Sequence, residues 1–294
     1  MATVGESSAR VRAHRRRAQT GYFALLLPLL IYLGAFYAYP VAAMMFRSIH
    51  EPRWTADNFV QIFETGVYLH VLWLTVRISL IVTVVSLVLG YPVAYVLARV
   101  DRAKSNLLMI LVLVPFWTSI LVRTYAWMVL LGQQGIINQL LLSLGVIDEP
   151  VRLLNTTFAV YVAMVHVLLP FMILPLYSVM AGIDGGLLIA ARSLGARPVQ
   201  VFLRIFLPLS LPGVHAGCLL VFLSSVGYYI TPALLGGPRQ ITTAMLIDLM
   251  VNDLLNWGFG ATLAIPLLTT VVVLLVVVTS ALGLGRILRP ASAA

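Results

Sequence analysis

Three scarcities narrow the reading of this chain at once. Cys218 is the one cysteine among 294 residues. That excludes an internal disulfide and any metal site built from paired cysteines. Lys104 is the one lysine, and no glycine stands at the spacing before it that a phosphate-cradling Gly-x-x-x-x-Gly-Lys-Ser/Thr loop requires. The chain therefore binds no nucleotide in that manner. Charge is scarce as well, at 10% of residues against about 25% in soluble domains. Gly-x-Ser-x-Gly, His-Glu-x-x-His and Cys-x-x-Cys are all missing, so no catalytic constellation or metal ligand set is read.

Hydrophobic residues make up 61% of the chain. A membrane crossing needs about 20 mostly apolar residues. Six segments qualify: Gly21–Met45, Tyr68–Ala98, Ser105–Leu131, Thr156–Met180, Ile205–Leu235 and Ala261–Leu284. The fold class expected is an all-α integral membrane protein with six transmembrane helices. The apolar run Tyr22–Tyr39 is too long for a signal-peptide core and reads as a retained first span. One domain is expected over residues 21–288, with tails at 1–20 and 289–294 and a polar loop at 182–204.

The net charge of +9 does not mark a nucleic-acid binder, because the basic residues are scattered between apolar runs and form no face with interleaved aromatics. They mark topology. Thirteen of nineteen fall on one side of the six spans, in the N-terminal tail, around Arg99–Lys104, at Arg192, Arg197 and Arg204, and at Arg286 and Arg289. Four fall on the other: Arg47, Arg53, Arg152 and Arg239. A basic excess marks the cytoplasmic side, so both termini and the 182–204 loop are expected there. The outer segments keep apolar stretches, Ile136–Leu144 and Ala244–Leu255, expected as short helices at the outer surface.

The loop carries the sharpest local code. Asp184 can cap a short helix in which Leu187, Ala191 and Leu194 share one face at i, i+4 and i+7. Ala190 and Ala191 are small enough for close approach of a partner. Gly195 stands where a helix C-terminus favours positive φ, and Pro198 suits the first turn of a second helix. Pro208 and Pro212 bend the entry into the fifth span. The plainer alternative is an amphipathic connector on lipid headgroups.

Inside the spans, Arg123 sits beside Tyr125 and Trp127 in the third. An intramembrane arginine is either a pathway residue or a structural one bonded to carbonyls or snorkelling. Ser224, Ser225, Gly227, Tyr228, Tyr229, Thr231 and Pro232 interrupt the outer half of the fifth span, as a segment lining a cavity can. His166 reads as a histidine hydrogen-bonded between helices. No acid falls at a span centre, which argues against an ion-coupled carrier.

The segment Ala190-Ala191, Gly195, Ile205, Leu207-Pro208 resembles the cytoplasmic coupling loop of permease subunits in bacterial ATP-binding cassette importers. That signature is Glu-Ala-Ala, three residues, Gly, nine residues, Ile, one residue, Leu-Pro; Ile189 stands here in place of the Glu. Val114–Asn138 and Val226–Pro238 are similar to the spermidine/putrescine-type permease group. The resemblance implies a type I (MetI-like) permease fold, with two ATPase subunits that bind ATP and magnesium, a second permease and a periplasmic solute-binding protein. It implies coupling through Leu187, Ala190, Ala191, Arg192, Leu194, Gly195 and Pro208. The solute implied is a polyamine or a related amine or amino-acid derivative. The alternative is a self-contained ion-coupled secondary transporter or channel.

Overall fold

The computed structural model describes residues 26–51, 54 and 57–281. The outermost parts of the first and sixth expected spans and both tails lie outside them. Among the described residues, six helical stretches are long and apolar enough to cross a membrane: Leu26–His50, Val67–Arg99, Ile120–Ser143, Thr157–Ala181, Pro198–Val226 and Trp257–Val277. The first is α1, which contains a π-helical turn at Gly34–Ala38. The remaining helices are α2 (Asp57–Glu64), α3 (Val67–Arg99), α4 (Arg102–Trp117), α5 (Ile120–Leu131), α6 (Ile136–Ser143), α7 (Thr157–Ala181), α8 (Gly185–Ser193), α9 (Pro198–Val226), α10 (Ile230–Leu235), α11 (Thr243–Asp248) and α12 (Trp257–Ala281).

Three helices, α3, α7 and α9, make the centre of the bundle. Their shared core includes Ile78, Val82, Leu97, Met164, Leu168, Met172, Leu176 and Val221, all fully or nearly fully buried. In lipid the association of helices relies on close packing rather than on water exclusion, and small residues permit it. Gly217 of α9 shows why: a Cβ there would lie 2.7 Å from Met172 Sδ and 3.1 Å from the Met172 carbonyl oxygen. At Gly213 it would lie 3.1 Å from the Pro175 carbonyl oxygen. The helix α1 stands apart from this core and packs on α12, where Thr262 Oγ1 reaches the Ser48 carbonyl at 3.5 Å.

Contacts define two ends of the bundle. At one end Tyr91 and Tyr95 of α3 meet Phe202 and Phe206 at the start of α9. At the other, the amide of Thr243 donates to Thr75 Oγ1 at 2.8 Å, Tyr68 meets Phe259, and Gln240 bonds Thr157. Short helices stand at the two expected places, α6 and α11, the latter continued by a π-helical turn at Leu249–Asp253, but α6 falls within the candidate span Ile120–Ser143.

Boundaries differ from expectation in four spans; the first runs on to His50 rather than ending at Met45. The expected third span, Ser105–Leu131, is two helices. Pro115 sits in the last turn of α4, which ends at Trp117; Thr118 goes extended and its hydroxyl donates to the Pro115 carbonyl at 2.7 Å. Helix α5 restarts at Ile120. At about 1.5 Å per residue the two helices exceed the roughly 30 Å hydrocarbon thickness, so the break lets them change direction. The fifth span begins at Pro198 and ends at Val226, with Leu235 at the end of a separate helix. A π-helical turn at Phe202–Phe206 precedes Pro208 and accommodates its missing donor without a break in the helix. The sixth begins at Trp257 rather than Ala261.

Candidate functional site: a docking loop and a broken pathway

The loop forms as its local code dictates. Asp184 Oδ1 accepts from the Gly186 amide at 2.8 Å and starts α8. At the other end Gly195 has φ +86°, its amide donates to Arg192 O at 2.9 Å, and the Ala196 amide donates to Ala191 O at 3.1 Å. This pair of bonds is a Schellman cap. Gln200 Oε1 then accepts from the Arg197 amide at 2.9 Å, and Pro198 opens α9.

The expected face is present, with one edge turned to the core. Leu188 is buried, and Ala191 and Ala196 pack beside it on the central core. Ala191 thus lies on the inner edge of the face it shares with Leu187 and Leu194. The outward set is Leu187, Ala190 and Leu194, at i, i+3 and i+7, with Leu194 89% exposed. Ile189 is 66% exposed on a different side of the helix, and Arg192 is exposed as well. Pro208 lies one helical stretch away on α9, exposed near the Phe206 ring end. A small apolar face with basic flanks, held by a rigid cap, suits a protein partner.

The residues expected in the pathway separate into two groups. Arg123 and Trp127, four apart on α5, both turn inward; Tyr125 is exposed on another face. Trp127 Nε1 donates to His166 Nδ1 on α7 at 3.3 Å, so His166 is hydrogen-bonded between helices as expected. The Nε and Nη1 atoms of Arg123 are enclosed and have no hydrogen-bond partner among the described residues, which removes the carbonyl-bonded reading. The guanidinium acts electrostatically on His166 and Tyr228 together.

The second group follows the end of α9. Ser225 is buried and Ser224 half-buried; Gly227 ends the helix and α10 begins at Ile230. The two tyrosines in this gap diverge. Tyr228 packs half-buried against the central core, and its hydroxyl has no hydrogen-bond partner among the described residues. Tyr229 is exposed, with the Asp248 and Asp253 carboxylates in its neighbourhood. The Asp248 carboxylate pushes the Tyr229 phenol above its ordinary pKa. Asn252 Nδ2 also donates to Asp248 Oδ1, at 2.7 Å. Sequence reasoning missed this carboxylate pair because 19 positions separate Tyr229 from Asp248; only the fold of α10 and α11 brings them together.

These two helix breaks, Thr118–Ser119 and Gly227–Tyr229, interrupt neighbouring spans, and α5 packs directly on α10. Six apolar helical stretches, with such breaks and a capped polar loop between two of them, define a multi-span membrane protein. Residues 86–293 match the family described as the binding-protein-dependent transport system inner membrane component. The chain belongs to that family and is a permease subunit of the ATP-binding cassette importer type. It is 38% identical over 265 residues to the spermidine/putrescine transport system permease protein PotB of Haemophilus influenzae, covering 87% of each chain. It is 42% identical over 213 residues to PotB of Escherichia coli, covering 72% of this chain and 77% of that one. Its fold matches a crystal structure of a bacterial ABC transporter involved in import of the acidic polysaccharide alginate, with TM-score 0.71 at 20% identity over 95% and 99% of the two chains.

Proposed function

We propose that this chain forms half of the translocation pathway of an ATP-driven polyamine importer, paired with a second permease. Separate ATPase subunits, which bind the ATP and magnesium, grip the outward face of α8 at Leu187, Ala190, Arg192 and Leu194. Gly195 fixes the angle at which that face is presented, and Ala191 seats the loop on the core. Closure of the ATPases then moves α9 through Pro208. A periplasmic solute-binding protein delivers the solute at the opposite end. Both termini lie on the cytoplasmic side, as the arginine distribution supports.

The observation that carries the coupling role is the Schellman-capped α8 with its exposed apolar face. The polyamine assignment is supported by the two PotB relatives and by the Tyr229, Asp248 and Asp253 cluster. Carboxylates suit a cationic amine, and the tyrosine face adds cation–π attraction. On this reading the breaks around Ser224, Ser225, Tyr228 and Tyr229, with Arg123 and Trp127 behind them, form the outer constriction of the pathway. Tyr125, on the exposed face of α5, meets the second permease or lipid.

Spermidine uptake by the whole importer tests the solute. Asp248→Asn with Asp253→Asn should raise the half-saturating spermidine concentration several-fold while the protein remains in the membrane. An unchanged value would remove these carboxylates from the pathway.

A further inference from the structure

A cavity of about 600 Å³ opens at the end of the bundle opposite α8. Its walls come from two turns, the one before α7 and the one after α10, and they carry Arg152 and Arg239. Both side chains are exposed, and neither has an ion-pair partner among the described residues. Asp148 and Glu149, just upstream of Arg152, make no ion pair with either guanidinium.

The frame around the two arginines is fixed. Gln240 Oε1 accepts from the Gly237 amide at 2.9 Å, and Gln240 Nε2 donates to Thr157 Oγ1 at 3.1 Å. Gly237 approaches so closely that a Cβ there would lie 2.9 Å from the Asn155 carbonyl oxygen, and Asn155 itself holds φ 59°. The turns are thus pinned to each other and to the first turn of α7. Two unpaired guanidinium groups on a rigid rim present planar donor forks suited to carboxylates. Of the six spans, α7 is the most enclosed by protein, so the cavity stands over the bundle rather than at its lipid perimeter.

We propose that this cavity receives acidic side chains from the surface of the solute-binding protein and registers it over the pathway. This rests on the importer reading above. Charge at such a rim governs encounter and register more than turnover.

The test uses the complete importer in nanodiscs and measures ATPase stimulation as solute-loaded binding protein is titrated. Arg152→Glu with Arg239→Glu should raise the half-saturating binding-protein concentration about tenfold or more at low salt, with the maximal rate preserved. The gap should shrink as salt rises. Arg152→Gln with Arg239→Gln, a milder change, should give a smaller shift in the same direction. Lysine substitutions at surface acids of the binding protein should restore the charge-reversed pair. An unchanged half-saturation, or a lower maximal rate at unchanged half-saturation, overturns the proposal. A shift seen in anionic nanodiscs but not in phosphatidylcholine ones assigns the cavity to lipid phosphate and also overturns it. If the unaltered importer shows no stimulation by binding protein at any concentration, the importer reading itself fails.

Discussion

The guanidinium of Arg99 lies over the ring of Phe206, 4.9 Å from its centroid. Arg99 ends α3, and Phe206 closes the π-helical turn of α9 just beyond the docking loop. Tyr95 meets the same ring edge-on at 5.0 Å, and Phe202 stacks against it at 5.9 Å. One aromatic junction therefore ties together two central spans close to α8.

Phe206→Ala should destabilise the protein strongly. In soluble cores the loss of a buried Phe costs about 3–5 kcal/mol, which sets the scale here. Arg99→Gln removes the cation–π contacts with Phe206 and Tyr95, each worth about 1 kcal/mol or less at a partly exposed site. Thermal unfolding in detergent should rank the two variants in that order, with Phe206→Ala the less stable.

Gly195 predicts a graded series. A non-glycine residue in the left-handed region costs roughly 1–2 kcal/mol, and Asn tolerates it better than most. Gly195→Asn should keep most uptake, Gly195→Ala less, and Gly195→Val least, at equal amounts in the membrane. Equal uptake in all three variants would show that the cap does not set the docking geometry.

Helix crossing predicts a different failure at Gly217. The Cβ of any substitute meets Met172 Sδ and its backbone, and Gly217→Val adds two methyl groups to that clash. The three central helices then cannot close. The variant should be degraded or aggregated, so the readout is the yield of monodisperse protein, which should fall several-fold. Pairing it with Met172→Ala should recover part of the yield.

Asn138 is fully buried at the outer end, and its side chain makes three bonds. Its Nδ2 donates to Gly132 O and Val151 O at 3.1 and 2.9 Å, and its Oδ1 accepts from the Val151 amide at 3.0 Å. Asn138→Leu strands those groups at about 1–3 kcal/mol each. Hydrogen exchange should quicken across residues 132–153 and leave α3 and α7 unchanged.

What was legible in the sequence was local. The Asp184 cap, the turn at Gly195 and the start at Pro198 each depend on residues within a few positions, and all three are present. The break after Pro115 had a readable signal in the proline, but the continuous hydrophobicity of Ser105–Leu131 masked it. The inward turn of Ala191 depends on which side of α8 meets the core, and Leu188 decides that through a tertiary contact. The placement of Asp248 beside Tyr229, and of Arg152 beside Arg239, comes from turns that converge from distant parts of the chain. No periodicity within one helix reports such pairs.

The account rests most heavily on ATP-driven import through a separate motor docked on α8. The direct measurement is spermidine uptake into proteoliposomes that hold this chain, its partner permease, the ATPase and the binding protein. Uptake should require enclosed or accessible ATP on the ATPase side, survive ionophores that collapse ion gradients, and stop when the ATPase subunit is omitted. Uptake that persists without the ATPase and vanishes with ionophore would contradict the account and identify an ion-coupled carrier.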